Sequence, residues 1–584
     1  LVIKDLPSPE RIVETREPQV GVFVCHCGRN IAGAVSIDEV VRQTGHLPEV
    51  AFIEDYQYVC SAEGQERIQR KIADLGLNRV VIAACSPAIH EGHFRDTLRK
   101  AGLNPYFLEI ANIRDQCAWV HPQNRAAATS KATDLVRMAV ARSRKAEPVS
   151  AIRLAVVPRA LVIGGGLAGL TAAFEMASLG LEVAILERED HLGGNMMRLQ
   201  YLLNHEDPQV YVDNLIERVT IHPLIHVYTS AALEKISGSV GRFLSSVRQN
   251  GRVIEIEHGV VVVATGGIEH RPTGHLLGSH PGVLTQLDLE SRLAAGDFKV
   301  ETIVMLQCVG SRRPGRPYCS RVCCTQAVKN ALRLKELHPS LPIVIAHRDI
   351  RTYGMDEEAY LQARRKGIRF IRLVDESKPI IEPNLHSGGL SITVHDSSLR
   401  GWLRLETSHL VLSTGIEPNP GNRDLSQMLG VPLNSDAFFL EAHAKLRPVE
   451  TQTEGIFLCG LAHSPQTVGE TIVQARAAVA RAATILCQPY LEKENIVAEV
   501  ADELCDGCGY CIEPCPYQAI TLSEQTRDGL VKKIVTVDQT KCLGCGICQA
   551  VCPKRGINVR NFRPDQLMAM VDAALATRVS GPTS

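Results

Sequence analysis

Two copies of one cysteine pattern, CDGCGYCIEPCP and CLGCGICQAVCP, stand near the carboxyl end of the 584-residue chain. Each is C-x-x-C-x-x-C-x-x-x-C-P, in which three thiolates hold three corners of an iron–sulfur cubane and the fourth crosses to a second cubane. On that rule Cys505, Cys508, Cys511 and Cys552 hold one [4Fe–4S] cluster, and Cys542, Cys545, Cys548 and Cys515 hold another. Zinc is the alternative, but structural zinc is satisfied by one closed set of ligands and has no need of crossed quartets. Glycines between the cysteines let backbone N–H groups turn toward the cluster sulfurs and tune the potential.

A second set lies in TIVMLQCVGSRRPGRPYCSRVCCTQAVKN. A hydrophobic strand, Thr302 to Gln307, runs into Cys308, and a polar loop leads through Cys319 to Cys323 and Cys324, just ahead of a helix. A flavin reductase with two nucleotide sites would open its second glycine fingerprint here, because glycines let the backbone close on a pyrophosphate at a helix N-terminus. VGSRRPG lacks that spacing, so electrons are expected through iron and sulfur and not as a hydride. Three readings stand for these thiols: one [4Fe–4S] cluster, a strained vicinal disulfide of Cys323 and Cys324 acting as a relay with the flavin, or unligated cysteines. Arg312, Arg313, Arg316 and Arg321 around them argue against a plain buried core.

The third set is Cys25, Cys27, Cys60, Cys85 and Cys117. Three segments put a cysteine at or just beyond the carboxyl end of a strand, and in a parallel sheet those ends share one edge, where ligands gather. Four of the five could hold a further cubane, with the choice between Cys25 and Cys27 open; the competing reading is buried free thiols. His26, His90, His93 and His121 read as satisfied polar residues, and Cys459 and Cys487 as structural.

The nucleotide chemistry lies in RALVIGGGLAGLTAAFEMASLGLEVAILERE. Gly164, Gly166 and Gly169 follow a hydrophobic strand and open an amphipathic helix at Leu167 and Ala168, and Glu187 ends the next strand, where a carboxylate can bind ribose hydroxyls. GVVVVATGG, HLVLSTGIEPNP and GIFLCGLAHSPQTVGETIVQARAAVARA favour FAD over NAD: apolar strands ending in glycine turns, the last before a helix N-terminus that can face a flavin or its pyrophosphate. Their candidate cofactor residues are Ala264, Thr265, Gly266, Gly460, Gln466 and Thr467, with Gly194 and Asn195 of LGGN.

The elements that must position these groups follow from periodicity. VGVFVC, VAFIEDYQYVC, RVVIAAC and YFLEIAN read as strands alternating with helical segments, a small parallel α/β domain over residues 1–148. Residues 149–494 read as the FAD domain with the central cysteines, and 495–584 as a ferredoxin domain ending in an amphipathic helix, PDQLMAMVDAALA. The length fits about three to four domains. A net charge of −1 and 4% aromatic residues give no footing for nucleic acid. Nineteen cysteines spaced as metal ligands, no signal peptide and no apolar run of membrane length point to a reducing cytoplasm. Leu1 reads as a trimmed chain or a non-standard start.

The blocks VCHCGRNIAG, ACSPAIHE, NIRDQCAWVH, VIGGGLAGLTAA, LGGN, QCVGSRRPGRPYCSRVCCTQAVK and the two ferredoxin motifs resemble the family of heterodisulfide reductase A-type subunits, from Val20 to the final helix. The resemblance implies a thioredoxin-reductase-like FAD Rossmann core with added terminal domains. It implies a complex with B- and C-like subunits, as a hetero-oligomer or a dimer of such complexes. There FAD divides electron pairs from a hydrogenase, formate dehydrogenase or NADH-oxidising module between ferredoxin and a heterodisulfide. It also sets Lys329 beside flavin N5, where a cation in a dry site favours negative charge on the ring; the alternative is a solvated helix lysine. Methanogen members often carry an inserted ferredoxin domain that this chain lacks, which puts pair splitting in question. A simple relay and an NAD(P)H:ferredoxin-type oxidoreductase are the rival activities, and a partner-docking scaffold is the rival from another class.

Overall fold

In the computed structural model the described residues are 17–576, apart from 205, 297, 375–377, 385–387 and 528–529. Leu1 and the outer ends of the first and last expected domains lie outside them. The chain divides into two compact units, Leu1–Arg153 with Glu492–Ser584, and Leu154–Leu491.

The first unit opens with a parallel sheet of order β2-β1-β3-β4: β1 (Val20–Cys25), β2 (Val50–Tyr56), β3 (Arg79–Ala84) and β4 (Leu108–Asn112). VGVFVC and RVVIAA are buried at every position, as strands covered on both faces by helices must be. The crossing helices are α1 (Ile37–Thr44), α2 (Ala62–Leu75), α3 (Pro87–Lys100) and α4 (Arg125–Ser143). The Ser61 hydroxyl caps α2 by accepting from Gly64 N–H, and left-handed Gly76 ends it. The order reverses between β1 and β3, so the ligand crevice lies outside their carboxyl ends.

The second unit repeats one plan twice. The first copy runs β5 (Arg159–Ile163), α5 (Leu167–Ser178), β6 (Glu182–Leu186) and β7 (Ile225–Tyr228), then an antiparallel meander over 231–258, and returns through β8 (Val260–Val263). The second begins with β9 (Val283–Thr285) and helix α6 (Gln286–Ala295). It runs β10 (Ile303–Val309), α7 (Cys323–Leu337), β11 (Ile343–His347) and β12 (Arg369–Arg372), then a second meander between 380 and 407, and returns through β13 (His409–Thr414). With β14 (Ile456–Leu458) and α8 (Val468–Leu486) the five-stranded orders are β14-β8-β5-β6-β7 and β9-β13-β10-β11-β12. A glycine turn succeeds β5, and the cysteine loop succeeds β10. Cys323 and Cys324, expected just ahead of the helix, form its first turn.

The first unit resumes with β15 (Ala498–Val500), the hairpin β16 (Ile520–Arg527) and β17 (Leu530–Val537), α9 (Ile547–Val551), β18 (Ile557–Val559) and α10 (Pro564–Leu575). Helix α10 lies against α4, and the Arg142 guanidinium on α4 donates to the Asn561 carbonyl at 2.8 Å. Among the described residues no helix is long and apolar enough to cross a membrane.

Candidate cofactor sites

The turn after β5 is shaped by what a side chain would strike. Gly164 sits at φ 114°, and a Cβ there would meet the Ala264 carbonyl oxygen at 2.3 Å. At Gly169 a Cβ would fall 1.8 Å from the Gly164 oxygen, so only glycine lets α5 start this close to β5. No side chain caps α5, leaving its first N–H groups to be met by a ligand or by water. The Glu187 carboxylate is locked across the turn, accepting from Gly165 N–H at 2.7 Å and Glu189 N–H at 2.9 Å. Each of its oxygens keeps a further lone pair. An open helix N-terminus beside an anchored acid fits the pyrophosphate and ribose of a dinucleotide.

The other candidate residues converge within the same unit. Gly193 N–H donates to the Gly165 carbonyl at 2.9 Å, setting Gly194 beside Gly166, and the Asn195 amide donates to the Gly267 carbonyl at 2.8 Å. Ala264 N–H donates to Ile163 O at 2.8 Å, and Thr265 is held by Asn419 and Asn422. Gly460 N–H and the Gln466 amide both donate to Gln474 Oε1 at 2.8 Å, while Gln466 Oε1 is buried with no partner among the described residues. Helix α8 differs from α5: a capping box of Thr467 and Glu470 already closes its N-terminus. An anion would therefore find open N–H groups at α5 and not at α8.

The central cysteines stand at the matching edge of the second sheet. The β10–β13 ladder slips between Leu306 and Val309, and Cys308 in that bulge has φ 62°. Arg312 and Arg321 in the loop are left-handed too. The four thiols are near neighbours: burial pushes Cys323 up, and Cys324, Cys308 and Cys319 add to the rise. Burial raises Cys308 as well, offset in part by the Arg312 cation. Cys323 Sγ lies 3.5 Å from the Thr414 carbonyl, and Arg321 N–H points at Cys319 Sγ at 3.4 Å. Successive residues of a helix point about 100° apart, so Cys323 and Cys324 diverge, and a vicinal disulfide would break the first turn of α7. Arg312 pairs with Asp349, which Arg312 and Arg351 hold below the usual carboxylate range against the opposing push of burial.

Lys329 is not solvated. Its side chain is 8% exposed, its ammonium donates to Glu290 Oε2 and to the Tyr201 carbonyl, each at 2.8 Å, and Glu290 is fully buried. Burial pulls the lysine down, and Glu290 partly restores it. Glu290, Tyr201 and Asn330, which accepts from the Tyr201 hydroxyl at 2.8 Å, were not among the expected site residues. No local motif marks them.

In the ferredoxin segment Cys511 is raised by burial and by Cys552, Cys505 and Cys508, which groups the first expected quartet. Cys515, Cys542, Cys545 and Cys548, the second, line one cavity. Backbone N–H groups already point at sulfur: Ala498 to Cys542 and Ala519 to Cys515 at 3.4 Å, and Gly556 to Cys552 at 3.3 Å. In the N-terminal sheet, burial and the thiols of Cys27 and Cys60 push Cys25 up to about 11. Burial raises Cys85, Arg114 opposes the rise, and Cys60 and Cys27 add to it. Cys117 lies in the short turn Arg114–Ala118, fully buried, with Lys131 and Asp134 as its charged neighbours. His26 pairs with Asp55 at 2.7 Å. Among the described residues no three His, Cys, Asp or Glu side chains converge on one ion position; a cubane, with iron at each corner, needs its thiols set around a larger object.

Residues 162–215 match an NAD(P)-binding Rossmann-like domain, and residues 504–555 a 4Fe-4S dicluster domain. Among solved structures, a thioredoxin reductase from Lactococcus lactis aligns over 57% of this chain and 99% of its own, with 16% identity and a TM-score of 0.41. A Rossmann-type α/β core joined to a dicluster domain defines a flavin-dependent iron–sulfur oxidoreductase. The relatives narrow that class. One of the iron–sulfur A-type subunits of CoB–CoM heterodisulfide reductase from Methanopyrus kandleri is 36% identical over 87% of this chain and 92% of its own. The A-type subunit of the H(2):CoB-CoM heterodisulfide,ferredoxin reductase from Methanothermobacter thermautotrophicus is 35% identical over 97% and 99%. The chain belongs to the family of heterodisulfide reductase A-type subunits.

Proposed function

We propose that the protein is the FAD and iron–sulfur subunit of a cytoplasmic heterodisulfide-reductase-like complex. In it the flavin is the branch point between an electron-donor module, ferredoxin and the B- and C-like subunits that reduce the disulfide. The donor would be a hydrogenase, a formate dehydrogenase or an NADH-oxidising module. The observation that carries this reading is the pair of matching sheet edges, one ending in a nucleotide turn and the other in a four-cysteine loop.

In this reading Gly164, Gly166, Leu167, Ala168 and Gly169 receive the pyrophosphate, Glu187 the ribose, and Gly194, Asn195, Ala264, Thr265, Gly266, Gly460, Gln466 and Thr467 line the rest of the FAD. Cys308, Cys319, Cys323 and Cys324 hold one [4Fe–4S] cluster, and the two ferredoxin quartets hold two more. Cys25, Cys27, Cys60 and Cys85, the N-terminal thiols within electrostatic reach of one another, hold a fourth. Bound FAD supplies the exchange between electron pairs and single electrons. Lys329 contributes a desolvated cation fixed by Glu290, whose field is strong because the site is dry. Buried thiols stay protonated without iron, so cluster assembly replaces those protons with metal.

Transfer without pair splitting is the second reading. The alignment to the Methanothermobacter relative runs over 667 residues, more than this chain contains, so that relative carries segments absent here. Anaerobic purification with flavin and iron analysis, followed by a reductive titration, tests both readings. FAD that reduces and reoxidises together with the clusters is expected; protein without iron, or flavin that ignores the clusters, would sink the proposal. A flavin that titrates in one two-electron step, its one-electron potentials crossed, favours the branch point, and two well-separated one-electron steps favour the relay.

A further inference from the structure

The central cysteine loop is tied to the turn before α8 by one side chain. Arg321 lies between Cys319 and Cys323, in the left-handed conformation at φ 59°, with its N–H aimed at Cys319 Sγ. Its guanidinium spans to the other copy of the sheet plan. One nitrogen pairs with Glu470 and donates to the Tyr353 hydroxyl at 2.7 Å, and another reaches the Pro465 carbonyl at 3.4 Å. Pro465 and Glu470 bracket Gln466 and Thr467, so the grip falls on the segment assigned to the flavin. Glu470 serves two elements at once. Oε2 accepts from Thr467 N–H at 3.0 Å in the capping box, and Oε1 accepts from Tyr353 at 3.0 Å and from Arg321. Burial raises the Glu470 carboxyl, but the Thr467 N–H, the Tyr353 hydroxyl and the Arg321 cation outweigh it.

Two further contacts hold the cysteine loop from another side. Tyr318 donates to Ile416 O at 2.8 Å, and Ser320 accepts from Ile416 N–H at 2.9 Å, both on the turn after β13 and not on α8. Arg321 differs in joining the cysteine loop to α8 itself, by a charged and multiply bonded fork. A guanidinium suits this task because its planar donors fix direction as well as distance.

We infer that Arg321 is a positioning residue that fixes the central cluster loop against the flavin-facing turn of α8, and so sets the gap electrons cross between the two cofactors. This rests on the cofactor assignment above. A loop carrying three strained non-glycine residues would otherwise settle at a different spacing from α8. The ion pair is partly exposed and adds little to stability on its own; its value lies in geometry.

The full chain, purified anaerobically with its cofactors, tests this in the variants Arg321→Met, Arg321→Lys and Glu470→Gln. Flavin and iron are counted, electron passage from flavin to cluster is timed after flash photoreduction, and the central cluster's electron paramagnetic resonance signal is recorded. Arg321→Met should keep FAD, slow the passage roughly tenfold or more, and alter the cluster signal. Arg321→Lys keeps the charge without the fork and should recover only part of the rate. Glu470→Gln retains a side chain able to complete the capping box and should fall between. Wild-type rate and signal in Arg321→Met would overturn the inference. If Arg321→Met loses iron, Glu470→Gln decides: slowed passage supports the inference and an unchanged rate overturns it. A Cys308→Ser protein that keeps all its iron and every cluster signal would overturn the cofactor assignment itself, and this inference with it.

Discussion

The two copies of the sheet plan in the flavin unit differ chiefly in how one strand ends. After β5 the chain turns through Gly164 at φ 114° and enters α5 within a few residues; after β10 it turns through Cys308 at φ 62° and wanders to Val322 before α7 begins. Both put a left-handed residue at the carboxyl edge of a central parallel strand, where ligands bind in open α/β sheets. Glycine adopts that conformation at no steric cost, and its missing Cβ lets the turn pack directly against the Ala264 carbonyl. Cysteine adopts it at a cost of about 1–3 kcal/mol and presents a thiol instead. In the proposed reading, one backbone plan is directed to a nucleotide or to iron by the residue at the bend and the length of loop after it. Lys329 sits on α7, the helix after the cysteine loop, facing Glu290 on α6, a buried cation with no counterpart among the described residues of the first copy.

Substitutions at the two bends should separate the cofactors cleanly. Gly169→Val puts atoms where the Gly164 carbonyl stands, and the protein should lose its FAD entirely while the ferredoxin clusters assemble; flavin absorbance and iron content check this. Cys308→Ser should do the reverse, keeping FAD and dropping iron by one cluster's worth. Losing Lys329 is the next largest effect. Lys329→Met takes the cation from buried Glu290 and leaves it only the Gln200 and Tyr201 N–H groups, which should cost up to roughly 3–5 kcal/mol in urea unfolding, while the double variant with Glu290→Gln regains most of it. The flavin potential should shift in both, because the cation is gone from each.

The smallest effect concerns pH. His258, in the meander of the first copy, is fully buried; its imidazole accepts from Ser245 at 2.8 Å and lies 3.0 Å from the Val260 carbonyl. Burial pushes it from 6.5 down to about 4, partly resisted by Val260. The unfolded chain therefore binds the proton first. The stability this group contributes is fully present above pH 6.5 and is lost as pH falls through about 4, up to about 3 kcal/mol. The gap between urea midpoints at pH 7 and pH 4, followed by flavin fluorescence, should narrow in His258→Gln.

Legibility in the sequence was local. The glycine triplet, the crossed cysteine repeats and the thiols at 308, 319, 323 and 324 are set by short spacings that turns and helix starts impose. Glu187 was legible for the same reason, since one βαβ unit fixes its distance from the glycines. The capping box at Thr467 and Glu470 carries a local signal too, T-x-x-E before an apolar helix. The partners of Lys329 carry none: Glu290 and Tyr201 reach it from a different helix and from an irregular segment, brought together only by packing. The second copy of the sheet plan is signalled only by the strand running into Cys308, because the two copies share the order of their central strands and not sequence. Cys117 matches its four neighbours in type and position, and differs in the groups that face it, Lys131 and Asp134 in place of other thiols.

The central claim is that the second sheet edge carries iron and sulfur in place of a nicotinamide. Anaerobic stopped-flow mixing of the purified chain with NADH and with NADPH tests it most directly, with a low-potential one-electron donor as the comparison. Neither nicotinamide should reduce the flavin rapidly, the one-electron donor should reduce clusters and flavin together, and Cys308→Ser should impair the second process. Rapid flavin reduction by either nicotinamide, unchanged in Cys308→Ser, would contradict it.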